Sequence, residues 1–138
     1  MTHSFNLLDE PWIRVTRLDG TPDEVSLLTL FREATDIAGI HGEIASQDVA
    51  ILRLLLAICH RAMDGPEDLD TWREYWEEPE RLGRDAVAYL ERYRERFDLR
   101  DPDRPFFQVA NIQGTVSSVS KMIIDTPKDL KRPLFTTR

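Results

Sequence analysis

"SQDVAILRLLLAICHRAMDG" (residues 46–65) is the stretch on which the fold turns. Ser46 has the side chain of an N-cap, Asp48 suits the positive end of a helix dipole, and Arg61 falls in the last turn. Gly65 and Pro66 stop the run. Val49, Leu52, Leu56, Cys59 and Met63 make one stripe, while Leu54, Leu55 and Ile58 cover much of the remaining circumference. A helix apolar nearly all round is a buried one. The reading is therefore a central helix that other elements must wrap.

Before that helix, Trp12-Ile13-Arg14-Val15-Thr16-Arg17 alternates apolar with polar after Trp12 and runs into Asp19-Gly20, a strong turn pair. Glu24-Val25-Ser26-Leu27 returns as a second strand, and the spacer Thr21-Pro22-Asp23 leaves the register open. Ser26 or Thr29 caps a short helix reaching Ala34, with Leu27, Leu30 and Phe31 on one face. Residues 37–44 contain Gly39 and Gly42 and read as a connection. A lone hairpin is marginal in water, so the role of Asn6-Leu7-Leu8 ahead of it is an open question.

After the helix, Leu69, Trp72, Tyr75 and Trp76 fall at helical spacing behind the acidic start Glu67-Asp68. Ala86, Val87, Leu90, Tyr93, Arg94 and Phe97 do the same, with Glu91, Arg92 and Glu95 outside, and Pro79 separates the two helices. These are the elements expected to wrap the centre. From Asp98 onward Pro, Gly, Ser and Thr are frequent, with β-leaning pieces at 106–109 and 121–124. The ending at Thr136-Thr137-Arg138 has no closing element and reads as a cut. The fold class expected is α+β, mainly helical, with an N-terminal β-hairpin and short strands in the C-terminal third.

A chain of 138 residues with 41% hydrophobic and 31% charged residues has the composition of one folded domain. The longest apolar run, 51–59, is interrupted by Arg53 and too short to cross a bilayer. The N-terminus has no basic region followed by an apolar one, so no signal peptide is expected. One cysteine, Cys59, excludes an internal disulfide, and the simplest compartment is a reducing cytoplasm. The net charge of -7 is opposite to that of a protein living by phosphate neutralisation. Any nucleic-acid contact must then be local or shared with partner subunits, and charge alone argues for protein partners.

Catalytic constellations are missing. His3, His41 and His60 are scattered without metal-ligand spacing, so neither a metal nor a cofactor is expected. Cys59 belongs to an apolar stripe and reads as a buried structural cysteine, with His60 beside it at the helix end. Gly39 and Gly42 make no phosphate loop, and Glu74, Glu77, Glu78 and Glu80 read as a solvated face. Trp72, Tyr75 and Trp76 read as core, and one of Phe106 and Phe107 is expected to be free. The charge sign changes only near the end. There Lys121, Lys128, Lys131, Arg132 and Arg138 face only Asp125 and Asp129, with Phe135 among them. Basic residues with an aromatic on a loop can make phosphate and stacking contacts, or simply be solvated.

Three stretches then form a pattern: "FNLLDEPWIRV" (5–15), "QDVAILRLLLAICHRA" (47–62) and "RPFFQV" (104–109), in that order. Together they resemble the start of the CasA family, the large subunit of the type I-E CRISPR surveillance complex Cascade. Arg14 stands where the family frequently has proline. The resemblance implies that residues 1–138 are part of a larger N-terminal domain, without its remaining part and without the C-terminal helical bundle.

What the resemblance implies about function is a non-catalytic, cytoplasmic subunit of an antiviral defence complex. It would recognise a short protospacer-adjacent motif on double-stranded target DNA and recruit a nuclease-helicase, beside other Cascade subunits and the 5′ handle of the guide RNA. Sequence reading is then delegated to guide pairing while protein reads the short motif. The family's loop toward the RNA handle corresponds to residues 125–138 here. Its expected nucleic-acid contacts are Lys128, Lys131, Arg132, Phe135 and Arg138. The alternative is a stand-alone protein-interaction module that binds other Cascade subunits without touching DNA. In a longer protein the hairpin joins a larger sheet with Trp12 over the core; by itself it is expected to be among the less secure elements.

Overall fold

The computed structural model describes residues 4–108 and Gly114. Ile13 and Val15 of β1 (Ile13–Arg17) are buried while Arg14 between them is exposed, as the two-residue period of a strand requires. β1 pairs antiparallel with β2 (Pro22–Val25), Ile13 opposite Val25 and Thr16 opposite Pro22. The turn is held by Asp19, whose carboxylate accepts from both the amide and the hydroxyl of Thr21. Gly20 there takes φ +86°, a conformation that strains any residue with a Cβ. Pro22 is tolerated because it opens an edge strand.

A third strand, β3 (Ile37–Ile40), pairs antiparallel with the other edge of β1 and gives the order β2-β1-β3. This corrects the reading of 37–44 as a plain connection. Without β3 the second edge of β1 would present unpaired backbone donors and acceptors. The hairpin gains β3 as a third strand and supplies Ile13, Val15 and Val25 to the core.

α1 (Leu27–Arg32) starts as expected: the Ser26 hydroxyl oxygen accepts from the Thr29 amide at 3.2 Å, and Leu27, Leu28, Leu30 and Phe31 are buried. It ends at Arg32, and the expected extension to Ala34 is replaced by a 3₁₀ turn, Ala34–Asp36. α2 (Ala45–Ala62) has Ile44, not Ser46, at its N-cap. Ile44 gives no side-chain cap, and Gln47 and Asp48 reach backward to accept from the amides of Glu43 and Gly42.

The largest correction concerns how α2 is covered. Only Ile51 and Ile58 are buried, whereas Val49, Leu52 and Leu56 are 57%, 55% and 67% exposed. α4 (Pro79–Arg92) packs along one side of α2, and nothing among the described residues covers the stripe on the other. Pro79 opens α4 in its first turn, and Ala86 and Leu90 are its buried residues. Gly83 lets α4 cross α1 closely, because a Cβ there would sit 2.8 Å from the Phe31 carbonyl oxygen. α3 (Leu69–Glu77), capped by Asp68 onto the Thr71 amide, has no buried residue. It therefore does not wrap α2 as expected.

The segment ahead of the hairpin is where the molecule is tied together. The Asn6 side chain donates to the Arg94 carbonyl at 3.1 Å and accepts from the Leu8 amide at 2.9 Å. The Leu7 amide donates to the Phe97 carbonyl, in a 3₁₀ turn (Arg94–Phe97) that follows α4. The Leu7 and Leu8 carbonyls in turn accept from the Leu27 and Leu28 amides at the start of α1. Trp12 lies over this corner and donates its indole N–H to the Leu7 carbonyl at 3.0 Å. Leu7 and Leu8 are buried, and fully burying one such side chain is worth about 1.5–3 kcal/mol. Asn-Leu-Leu thus clamps the two ends of the described fold.

Asp98 closes the same corner by accepting from the Ser4 hydroxyl, the Phe5 amide at 3.1 Å and the Arg100 amide at 2.8 Å. Beyond it, residues 106–108 form a turn and not the expected β piece, with Phe107 at φ +55°. Val109 and the 121–124 piece lie outside the described residues.

Candidate interaction surfaces

The expected nucleic-acid contacts, Lys128, Lys131, Arg132, Phe135 and Arg138, lie outside the described residues. The surfaces that can be built from geometry belong to the body of the chain.

Among the described residues no group of three or more His, Cys, Asp or Glu is arranged to hold a metal ion. Cys59 is partly buried on α2, and burial pushes its thiol above the ordinary value. A nucleophilic cysteine needs the opposite shift. His60, next to it, is exposed in the last turn of α2, against Gly65. No helix among the described residues is long and apolar enough to cross a membrane.

Eight acidic side chains among the described residues stand in small ion-pair groups. Arg17 bridges Asp23 and Glu33, each at 2.7 Å, and so links the hairpin to the end of α1. Those two carboxylates raise the Arg17 pKa, and the Arg17 hydrogen bond lowers that of Asp23. Arg94 joins Asp9 to Glu91 and adds charge to the Asn6 corner. Exposed pairs of this kind are worth about 0–1 kcal/mol each. They position segments.

Three apolar surfaces remain uncovered by the described residues. The first is the Val49, Leu52 and Leu56 stripe of α2. The second is the α3 ridge of Leu69, Trp72 and Trp76, read from the sequence as core and found exposed. The third is the turn after Pro105. Phe106 stacks on buried Phe97 with centroids 5.2 Å apart, while Phe107 is 92% exposed. One free phenylalanine of the pair is the expected arrangement, and Ala50, Arg53, Leu54 and Ala57 of α2 complete a groove beside it. A further groove of about 510 Å³ lies between α1 and α4, with Phe31, Val87 and Ala88 in its wall and Arg32 and Arg84 lining it. The apolar residues of α2 and α3 were visible in the sequence; that Val49, Leu52, Leu56, Leu69, Trp72 and Trp76 stay uncovered by the described residues was not.

Comparison with known proteins gives these surfaces a context. A family model described as "CRISPR-associated protein Cse1" matches residues 6–138. The CRISPR-associated protein CasA/Cse1 of Thermus thermophilus is 40% identical over 114 residues, 78% of this chain and 21% of that protein. The crystal structure of Thermobifida fusca Cse1 superposes with a TM-score of 0.82 at 43% identity, covering 90% of this chain and 24% of that one. A chain of a CRISPR RNA-guided surveillance complex shares the fold, with a TM-score of 0.58 at 21% identity over 74% of this chain and 22% of that one. The chain thus spans about a quarter of the length of the relatives it matches. It belongs to the CRISPR-associated Cse1 (CasA) family.

Proposed function

We propose that this chain is part of the N-terminal domain of a non-catalytic large subunit of a type I-E CRISPR surveillance complex, acting in the cytoplasm. The observation that carries the reading is a family match running unbroken from the Asn6 corner to the basic end, residues 6–138. The fold shared with a chain of an RNA-guided surveillance complex supports it. In this reading the body docks beside other subunits and the 5′ handle of the guide RNA. The whole protein contributes to recognition of the protospacer-adjacent motif on double-stranded DNA and to recruiting the nuclease-helicase.

Charge is compatible with a nucleic-acid contact at the end of the chain, where the family resemblance puts it. The balance of -7 disfavours phosphate contact over most of the surface. Lys128, Lys131, Arg132, Phe135 and Arg138 are the cluster with the opposite sign and an aromatic beside it. The stand-alone interaction module is favoured by one observation, the exposed apolar faces of α2 and α3. The two readings differ in whether phosphate is touched.

The test is Lys131→Ala with Arg132→Ala in the full-length protein, assembled with the guide-RNA complex. Target or RNA-complex affinity is expected to fall, and its salt dependence to flatten by about 0.9 per lost phosphate contact. An unchanged salt slope would leave the interaction-module reading. The bare chain is expected to bind a motif-containing duplex no better than an unrelated one in a gel shift.

A further inference from the structure

We propose that the Leu69, Trp72 and Trp76 ridge of α3 is a docking surface for a protein segment that carries apolar anchors flanked by Lys or Arg. These residues follow i, i+3, i+7 spacing and so form one stripe along the helix. They are 78%, 47% and 72% exposed. The two indole rings stack with centroids 5.2 Å apart and planes 16° from parallel. A pre-stacked pair loses little freedom when a partner arrives. Tryptophan is also among the residues most enriched where interfaces concentrate their binding energy.

The ridge is not what fastens α3 to the protein. Tyr75 does that, one residue and about 100° away round the helix. Its hydroxyl donates to Asp85 at 2.9 Å, and the Arg81 guanidinium lies 4.7 Å from its ring. With no buried residue on α3, folding of the described residues leaves the ridge in water. Covering it is a gain left for association.

Charge chooses the partner's chemistry. Glu67, Asp68, Asp70, Glu74, Glu77, Glu78 and Glu80 lie on or beside α3, and Arg73 is the helix's own basic residue. Arg73 answers Asp70 at 3.3 Å and Arg81 answers Glu74 at 3.2 Å. Glu77, Glu78 and Glu80 have no ion pair among the described residues. Such a rim repels phosphate, so the stacked indoles are not a base-stacking platform despite their geometry. It also opposes a second copy of the same ridge, because the like-charged rims would meet. A basic, apolar protein segment satisfies both the ridge and the rim. The inference stands independently of the nucleic-acid contact assigned to residues 128–138.

The experiment uses the 138-residue chain and two synthetic amphipathic peptides with the same leucine face, one with Lys and one with Gln on the polar face. The expected result is binding of the Lys peptide, read by anisotropy of a labelled peptide. It should weaken about tenfold for Trp72→Ala with Trp76→Ala. Glu77→Gln, Glu78→Gln and Glu80→Gln together, which keep α3 and its indoles, should weaken it and flatten its salt dependence. The control Glu10→Gln with Glu24→Gln should change nothing. Equal affinity for the Gln peptide, or equal loss in the control, would overturn the proposal. So would indoles already shielded from acrylamide in the dilute free chain, which would make the chain's own residues the occupant. A dimer abolished by the tryptophan variant would assign the ridge to a second copy instead.

Discussion

Residues 6–8 and the outer side of α2 are both rich in leucine, yet they have opposite surroundings. Leu7 and Leu8 are buried and their backbone groups are bonded to α1 and to the 3₁₀ turn after α4. Leu52 and Leu56 sit on a regular helix and remain more than half exposed. Composition does not separate these two places. What separates them is whether a neighbour reaches the surface, which depends on contacts distant in sequence.

The comparison breaks most easily at Leu8. Leu8→Ala is expected to cost about 2–5 kcal/mol in urea unfolding, because the side chain is wholly buried and the corner is fixed by hydrogen bonds that limit collapse. A loss no larger than that of an exposed leucine would mean the corner is not a clamp. Next in size is Asn6→Ala, expected to cost about 1–3 kcal/mol through the partners it leaves at Arg94 and Leu8. Asn6→Asp tests the same site more finely, since it keeps the acceptor for the Leu8 amide and removes the donor to the Arg94 carbonyl.

A smaller effect is expected from acid. The Ser4 hydroxyl first, then the Arg100 and Phe5 amides, hold the Asp98 carboxyl below its usual range. A folded-state value below the unfolded one gives stability that is present above about pH 4 and lost as pH falls through the depressed value. Asp98→Asn should therefore flatten the acid side of the stability profile and leave the slope above pH 5 unchanged. An unaltered acid limb would show that the carboxylate does not hold the corner. The smallest change is expected on the other side of the comparison: Leu56→Gln should stay within about 0.5 kcal/mol of the parent chain. A large loss there would mean the stripe is covered after all.

Much of the fold was legible because its signals are local. Alternation at Ile13 to Arg17, the Asp19-Gly20 turn and the Ser26 cap each act within a few residues, and each is where the sequence places it. Ile37 to Ile40 was missed because a short strand containing Gly39 has weak intrinsic preference and forms by pairing with β1. Ser46 was taken for a cap because its hydroxyl is the right chemistry. Gln47 and Asp48 draw the chain back through Gly42 and Glu43 and start the helix one residue before it. The role of Asn6 depends on Arg94, far along the chain, and no periodicity encodes that.

The interaction surfaces were legible in content and misread in placement. The apolar residues of α2 and α3 were identified, and their excess over one face was plain, but which side stays uncovered depends on the path of α4. Cys59 was read as a buried packing residue and is partly buried on α2, where burial raises its thiol pKa. The resemblance carried by residues 5–15, 47–62 and 104–109 in that order led to the right family, and the first of these stretches holds Asn6, Leu7, Leu8 and Trp12, which meet in one corner.

Native-state hydrogen exchange tests the clamp most directly, since it reads each amide's opening free energy in the intact chain. The amides of Leu7, Trp12, Leu27 and Leu28 should exchange with the slowest group, near the global unfolding limit. Those of Trp72 and Glu78, bonded within and at the end of α3, should exchange markedly faster. Equal protection in the two sets, or faster exchange at Leu7 and Leu27, would contradict the account.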